Sequence, residues 1–280
     1  MIWGSGDYCY EKVPGWGSER TLGIATAVAA DSRDRVYVVD REPNPAVVVY
    51  DRDGHLLDEW GHDILSLPHE IWIDGEDRIF IPDCRDHTVR VFSTDGTLLQ
   101  TLGVPDRTGE PGKPFNMPTR VVKGPSGDLY VADGYGQCYV HRMTPSGDLV
   151  HTWGGQGSAP GRFTLPHNIF PASDGRLLVA DRETNNRIQV FDSEGGFLAE
   201  WPGRPAPCGL FVDDEDTVFL GEGGGVTIMN MDGRLIAQWV VRGGPVDRAH
   251  GAHSVWVDRH GDIYVGEVGV ENLVHKYVRV

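Results

Sequence analysis

Cysteines, basic residues and long apolar runs are all scarce in this chain, and each shortage closes off a class of function. Its four cysteines (Cys9, Cys84, Cys138 and Cys208) lie far apart with no Cys-x-x-Cys spacing, which fits thiols in a reducing cell rather than a disulfide framework. No apolar run approaches the roughly 18 residues of a membrane-crossing helix, so no membrane partner is expected. Lysine and arginine number 25 against 41 acidic residues, and the net charge of −16 repels phosphate backbones. Nucleic acid is therefore not an expected partner. The opening residues, MIWGSGDYCYEKVPGWG, lack a basic segment followed by an apolar one, so no signal peptide is expected and the cytoplasm is the expected compartment. Almost no stretch carries the 3.6-residue apolar period of an amphipathic helix.

What the chain has instead is 37 glycines, 18 prolines and many short β-branched runs, the composition of an all-β protein. These runs repeat. RVYVVDREPNPAVVVYDRDGHLLDEWG (35 to 61) aligns with RIFIPDCRDHTVRVFSTDGTLLQTLG (78 to 103), DLYVADGYGQCYVHRMTPSGDLVHTWG (128 to 154) and RLLVADRETNNRIQVFDSEGGFLAEW (176 to 201). Weaker copies follow at 217 to 240 and 262 to 280. Each copy reads as an apolar strand, a second alternating strand, an Asp-Gly-type hairpin and a third strand ending at Trp-Gly; the segment ahead of it supplies a fourth. Four-stranded units at this period predict a six-bladed β-propeller spanning 1–280 as one domain, with blades near 21–61, 66–103, 115–154, 163–203, 205–240 and 249–280. The last copy lacks its final strand. Residues 8–17, which end in the Trp-Gly of such a strand, are expected to pair with it and close the ring, removing an exposed sheet edge.

Registering the copies on the strand that opens each blade puts Thr26, His69, Thr119, His167, Cys208 and His253 at one position. Histidine thus occupies alternate blades, 120° apart in a six-fold ring, at the start of the innermost strand, and the three imidazoles are expected to converge. Three neutral imidazoles with an open fourth position suit a catalytic Zn²⁺, with Fe²⁺ or Mn²⁺ as chemical alternatives. His250 misses the register, and the seven other histidines are expected at the surface. A second set of positions follows the aspartate that ends each blade's second strand: Arg41, Cys84, Gly134 with Tyr135, and Arg182. Two arginines suit bidentate recognition of a carboxylate, and a tyrosine near a cation can serve as a base. The glycine-rich stretches GGQGSAPG (154 to 161) and GEGGG (221 to 225) do not open helices and are read as turns rather than phosphate loops. No Ser-His-Asp or Cys-His arrangement is supported.

Taken together, repeats of the LLVADRETNNRIQVFD type resemble NHL-repeat propellers, and the placement of the histidines, arginines and tyrosine resembles the peptidyl-α-hydroxyglycine α-amidating lyases, most specifically in FNMPTRVVKGPSGDLYVADGYG and GRFTLPHNIFPASDGRLLVADRETNNRIQVF. The resemblance implies that His69, His167 and His253 hold zinc, that Arg41 and Arg182 match the family's arginines and that Tyr135 matches its proposed base. It implies a zinc-dependent carbon–nitrogen lyase acting on an N-substituted α-hydroxyglycine-like carboxylate from a small molecule or peptide, releasing glyoxylate and an amide without a redox cofactor. It also implies a structural calcium, which Ser254 puts in doubt because the family has aspartate there; the Val28 and Ile71 carbonyls match the other ligands, and Glu70 is a candidate for the lost charge. A metal-dependent hydrolase of a small carboxylate, or a non-catalytic NHL scaffold binding a protein or peptide, are the competing readings.

Overall fold

The short β-branched runs form strands throughout, and no helix occurs among the described residues. The computed structural model describes residues 1–241, 251–269 and 273–280. The protein is a six-bladed β-propeller: five antiparallel sheets have four strands and one has five. By contact the chain divides into two compact units, Ser66–Pro207 on the one hand and Met1–Leu65 with Cys208–Val280 on the other.

In the Ser66–Pro207 unit, blade 2 comprises Trp72–Ile73, Ile79–Asp83, Thr88–Phe92 and Leu98–Leu102. Blade 3 comprises Arg120–Lys123, Leu129–Asp133, Tyr139–Met143 and Leu149–Gly154, and blade 4 Pro166–Pro171, Leu177–Asp181, Arg187–Phe191 and Phe197–Pro202. In the other unit, blade 1 comprises Ala25–Ala30, Val36–Asp40, Ala46–Tyr50 and Leu56–Trp60, and blade 5 Pro207–Val212, Val218–Glu222, Gly225–Met229 and Leu235–Val240. Blade 6 has Gly251–Val257, Ile263–Val268 and Val274–Arg279.

The second strand explains the composition. Every residue of Val36–Asp40, Ile79–Asp83, Leu129–Asp133, Leu177–Asp181 and Val218–Glu222 is buried, so both faces of the strand are covered and the run is apolar rather than alternating. Each such valine or leucine contributes about 1.5 to 3 kcal/mol by leaving water. The fourth strands, by contrast, expose pairs such as Leu56–Leu57 and Leu98–Leu99 before ending in a buried Trp60 or Leu102. The glycine after that last residue has a steric reason: at Gly154 the backbone takes φ +108°, and a Cβ would sit 2.8 Å from the Cys138 carbonyl oxygen. The GEGGG stretch forms the hairpin from Val218–Glu222 to Gly225–Met229, and the Gly155–Gly161 loop follows Leu149–Gly154 in blade 3, so both are turns as expected.

Blade 6 is completed by the N-terminus. Tyr8–Val13 pairs antiparallel with Val274–Arg279, and Ile2–Ser5 pairs with Tyr8–Val13 as a fifth strand. The sequence reading located the Trp-Gly of this strand at Trp16–Gly17, but the strand ends at Val13 and those residues lie in a turn. Trp16 is buried there between Tyr50 and Tyr264, with ring centroids 5.2 and 5.4 Å away, and donates Nε1–H to the Arg52 carbonyl. Aromatic packing on blades 1 and 6, rather than a sheet register, fixes its place.

Candidate metal centre

The acidic residue ending each second strand sets the geometry. Asp40 accepts the backbone N–H groups of Gly23 and Ile24 at 2.9 Å, and Asp83 those of Ser66 and Leu67 at 2.6 and 2.8 Å. Asp181 accepts those of Thr164 and Leu165 at 2.8 and 3.2 Å, and Asp133 that of Asn116 at 2.8 Å. Each carboxylate therefore holds the segment that leads into its blade's first strand, supplying acceptors the loop backbone would otherwise lack. The residue after the acid bonds back to the same segment: Arg41 N–H to Ile24, Cys84 to Leu67 and Arg182 to Leu165, at 2.9, 3.0 and 2.9 Å. The equivalence read from the repeats is thus an equivalence of bonding.

The histidine position is a β-bulge, a feature the sequence did not announce. Pairing skips a residue between Ala25 and Ala27, between Pro166 and Asn168 and between Ala252 and Ser254, leaving Thr26, His167 and His253 as the inserted residues. A bulge bends the strand and re-aims the inserted side chain. In blade 2 the first strand is only Trp72–Ile73; His69 precedes it, anchored by its N–H to the Pro82 carbonyl at 3.0 Å. His69, His167 and His253 are all buried.

Within the Ser66–Pro207 unit, the His69 and His167 ring centroids lie 4.7 Å apart with the rings nearly perpendicular. His69 Nδ1 is 2.8 Å from the Thr119 carbonyl, which can only accept, so the ring carries its proton on Nδ1 and presents the Nε2 lone pair. In the other unit His253 Nδ1 makes the same bond to the Thr26 carbonyl at 2.7 Å. Two imidazoles thus have their tautomer fixed by a backbone acceptor, the usual support for a metal-ligating histidine. Within the Ser66–Pro207 unit His69 and His167 are buried imidazole donors of the kind that hold a metal ion, and His253 of the other unit is a buried donor prepared in the same way. Their chemistry fits zinc, iron or manganese, and nothing in it selects among them.

Tyr135 completes the group within its unit. Its hydroxyl stands 2.9 Å from His69 Nε2 and 3.4 Å from His167 Nε2, while the residue as a whole is 37% exposed. The flanking glycines make this reach attainable. A Cβ on Gly134 would lie 2.2 Å from the Pro166 carbonyl oxygen, and one on Gly136 would lie 2.2 Å from Asn116 Oδ1.

Arg41 and Arg182 differ from most arginines of the chain. Arg20, Arg35, Arg78, Arg142 and Arg187 all meet carboxylates. Among the described residues Arg41 and Arg182 have no ion-pair partner, and the Nε of each is buried with no hydrogen-bond acceptor. A half-buried guanidinium without an anion retains unused donors in the fork geometry that suits a carboxylate. Cys84, at the equivalent position of blade 2, is buried with its thiol 3.1 Å from the Pro118 carbonyl and adds no charge.

Of the two carbonyls that the resemblance assigns to calcium, that of Ile71 is engaged otherwise, as is the Glu70 carboxylate. Arg120, directly after Thr119, donates from Nη1 to the Ile71 carbonyl at 2.6 Å and to Glu70 Oε2 at 3.0 Å. Burial pushes the Glu70 carboxyl up to about 8 against the downward pull of that guanidinium, and burial lowers Arg120. Val28 sits mid-strand in blade 1, paired with Val38, and Ser254 is buried in blade 6. With Ile71 and Glu70 already bonded to a fixed positive charge, these residues do not fit a divalent ion.

Two histidines expected at the surface are buried. His141 lies 3.2 Å from Asp133 Oδ2 and 2.9 Å from Thr152 Oγ1, and His275 lies 2.7 Å from Glu267 Oε2. Both lie on a third strand, opposite Val131 and Val265, where Gln189 stands opposite Val179 in blade 4. That shared register, a polar residue beside a buried acid, was the signal available in the sequence. His250 lies outside the described residues.

No family model matches the chain. It is 30% identical over 308 residues to NHL repeat-containing protein 3 of Homo sapiens, an alignment covering 99% of this chain and 86% of that protein. It is 31% identical over 154 residues to peptidyl-alpha-hydroxyglycine alpha-amidating lyase 1 of Drosophila melanogaster, covering 51% of this chain and 28% of that one. Among solved structures, a gluconolactonase of Xanthomonas campestris superposes with a TM-score of 0.71 at 15% identity, over 98% of this chain and 90% of that one, a likeness of fold alone.

Proposed function

Because the chain belongs to the family of NHL repeat-containing protein 3 while also sharing half its length with amidating lyases, we propose that this member is a metal-dependent lyase. It cleaves the carbon–nitrogen bond of an N-substituted α-hydroxyglycine-like carboxylate, giving glyoxylate and an amide. The observation that carries the reading is the Tyr135 hydroxyl set within hydrogen-bond reach of two histidine Nε2 atoms, with the ring left accessible.

His69, His167 and His253 would hold the ion through Nε2. When bound, zinc there supplies a Lewis acid that lowers the pKa of a neighbouring hydroxyl. Tyr135, its hydroxyl held beside the His69 and His167 Nε2 atoms, would take the proton from the substrate's α-hydroxyl. The electrons of that O–H bond form the aldehyde carbonyl of glyoxylate, and those of the C–N bond leave on nitrogen. The proton held by Tyr135 passes to that nitrogen, so the step balances without oxidant or reductant. Arg41 and Arg182, neither of which meets a carboxylate among the described residues, would supply the donors for the substrate carboxylate.

The test joins metal analysis to a discriminating substrate pair. Protein purified without a metal-affinity tag is expected to contain one transition metal per chain and to release glyoxylate from α-hydroxyhippurate. The free acid should be preferred over its methyl ester by roughly 10- to 100-fold, and Arg182→Ala should lose most of that preference, since an arginine–carboxylate bond contributes about 1.5 to 3 kcal/mol. Lysine at the same position should restore it only in part, lacking the planar fork. Metal with no glyoxylate release would favour the hydrolase. Absence of stoichiometric metal would leave the scaffold reading, which the name of the full-length human relative, speaking only of repeats, also accommodates.

A further inference from the structure

Directly after the register position that His69, Thr119 and His167 share, each blade of the Ser66–Pro207 unit carries a buried polar residue: Glu70 after His69, Arg120 after Thr119, Asn168 after His167. We infer that the Arg120 guanidinium is the resident cation of this layer, filling the role of a bound divalent ion, so that the fold of this chain is independent of calcium.

The coordination of Arg120 carries the inference. Its side chain is 3% exposed, and the Glu70 side chain is 1% exposed. One nitrogen, Nη1, serves both the Glu70 carboxylate and the Ile71 carbonyl. Asn168 Nδ2 approaches the other Glu70 oxygen at 3.5 Å, and Asn168 Oδ1 is buried without a hydrogen-bond partner. The guanidinium stacks 5.8 Å above the Phe170 ring. A carboxylate and a main-chain carbonyl meeting at one positive centre are the hard oxygen donors that otherwise assemble around calcium, and the Asn168 amide braces the carboxylate from its other side. Here both oxygens come from Glu70 and Ile71, just ahead of the first strand of blade 2, and close on a side chain of blade 3. A fixed cation cannot be lost to a chelator, and removing it leaves Glu70 buried without its counter-charge, the costly half of a broken buried pair.

Arg120 also follows Thr119, whose carbonyl fixes the His69 tautomer. The inference nevertheless stands apart from the proposed lyase activity, because its test reads stability alone.

The experiment is thermal unfolding of the full chain, stripped of metal by chelation and then supplied with zinc, with or without millimolar calcium. Wild type is expected to show the same midpoint in both. A rise of several degrees with calcium, the shift a native-state ligand well above its Kd produces, overturns the inference. Arg120→Ala is expected to melt lower than wild type and to regain part of the loss in calcium, as the vacated oxygen donors accept a divalent ion. An Arg120→Ala protein that melts with wild type, or melts lower and is unmoved by calcium, also overturns it. Should that variant fail to fold, the wild-type arm and Arg120→Lys, expected to fold and to stay indifferent to calcium, still decide.

Discussion

A tyrosine hydroxyl between two imidazole nitrogens is an unusual placement for a side chain that could as easily point to water. Tyr135 is exposed enough to meet a substrate, yet its oxygen is committed to His69 and His167 at 2.9 and 3.4 Å. Its ring packs edge-on against both imidazoles, with centroids 4.9 and 5.8 Å away. Those ring contacts survive when the oxygen is removed, so Tyr135→Phe should keep the fold, the metal and substrate affinity. Turnover should fall by about 10²-fold or more, the scale on which general bases are lost. Measuring kcat and KM with metal content on the same preparation checks this: unchanged kcat removes Tyr135 from the chemistry, and lost metal makes it a structural support instead.

At the scale of single elements, the loop Gly134–Gly136 shows how backbone shape serves that side chain. Gly134 packs so closely on the Pro166 carbonyl that an added Cβ must push the loop away from the residue preceding His167. Gly134→Ala is therefore expected to lower kcat by roughly 10²-fold, the cost of a displacement near 1 Å at a reacting group, while melting close to wild type. A variant that melts far lower with unchanged kcat per folded molecule would show that the glycine serves packing alone. What could be read from the sequence follows the same division. The blades, the shared position of Thr26, His69, Thr119, His167 and His253, and the equivalent placement of Arg41 and Arg182 were legible because each repeats within a copy. The burial of His141 and His275, the seat of Trp16 and the pairing of Arg120 with Glu70 were not. They depend on what one copy packs against, and a repeat pattern carries the period of a strand but not the partner across from it.

For the molecule as a whole, the sixth sheet is where chain ends and fold meet. Tyr8–Val13 supplies the strand that the last copy lacks, and Tyr10, fully buried, pairs with Arg279 and packs 5.4 Å from Trp239 of blade 5. Desolvation there pushes the Tyr10 hydroxyl's pKa well above its ordinary value, the mark of a side chain committed to the core. Without this strand Val274–Arg279 becomes an open edge with unsatisfied N–H and C=O groups, and in a β protein such an edge recruits other chains. Truncating an aromatic in such a setting costs about 3 to 5 kcal/mol, and each kcal/mol moves the melting temperature of a domain near this size by about 2 to 4 °C. Tyr10→Ala should thus melt on the order of 10 °C below wild type while staying monodisperse relative to it, because the edge is still covered. A chain lacking residues 1–13 should melt lower still and self-associate, seen as mass growth in light scattering with rising concentration. The contrast matters more than either value. If the truncated chain melts like Tyr10→Ala without associating, the N-terminus contributes one packed side chain and no edge protection; if both melt with wild type, the sixth blade is held by its own three strands.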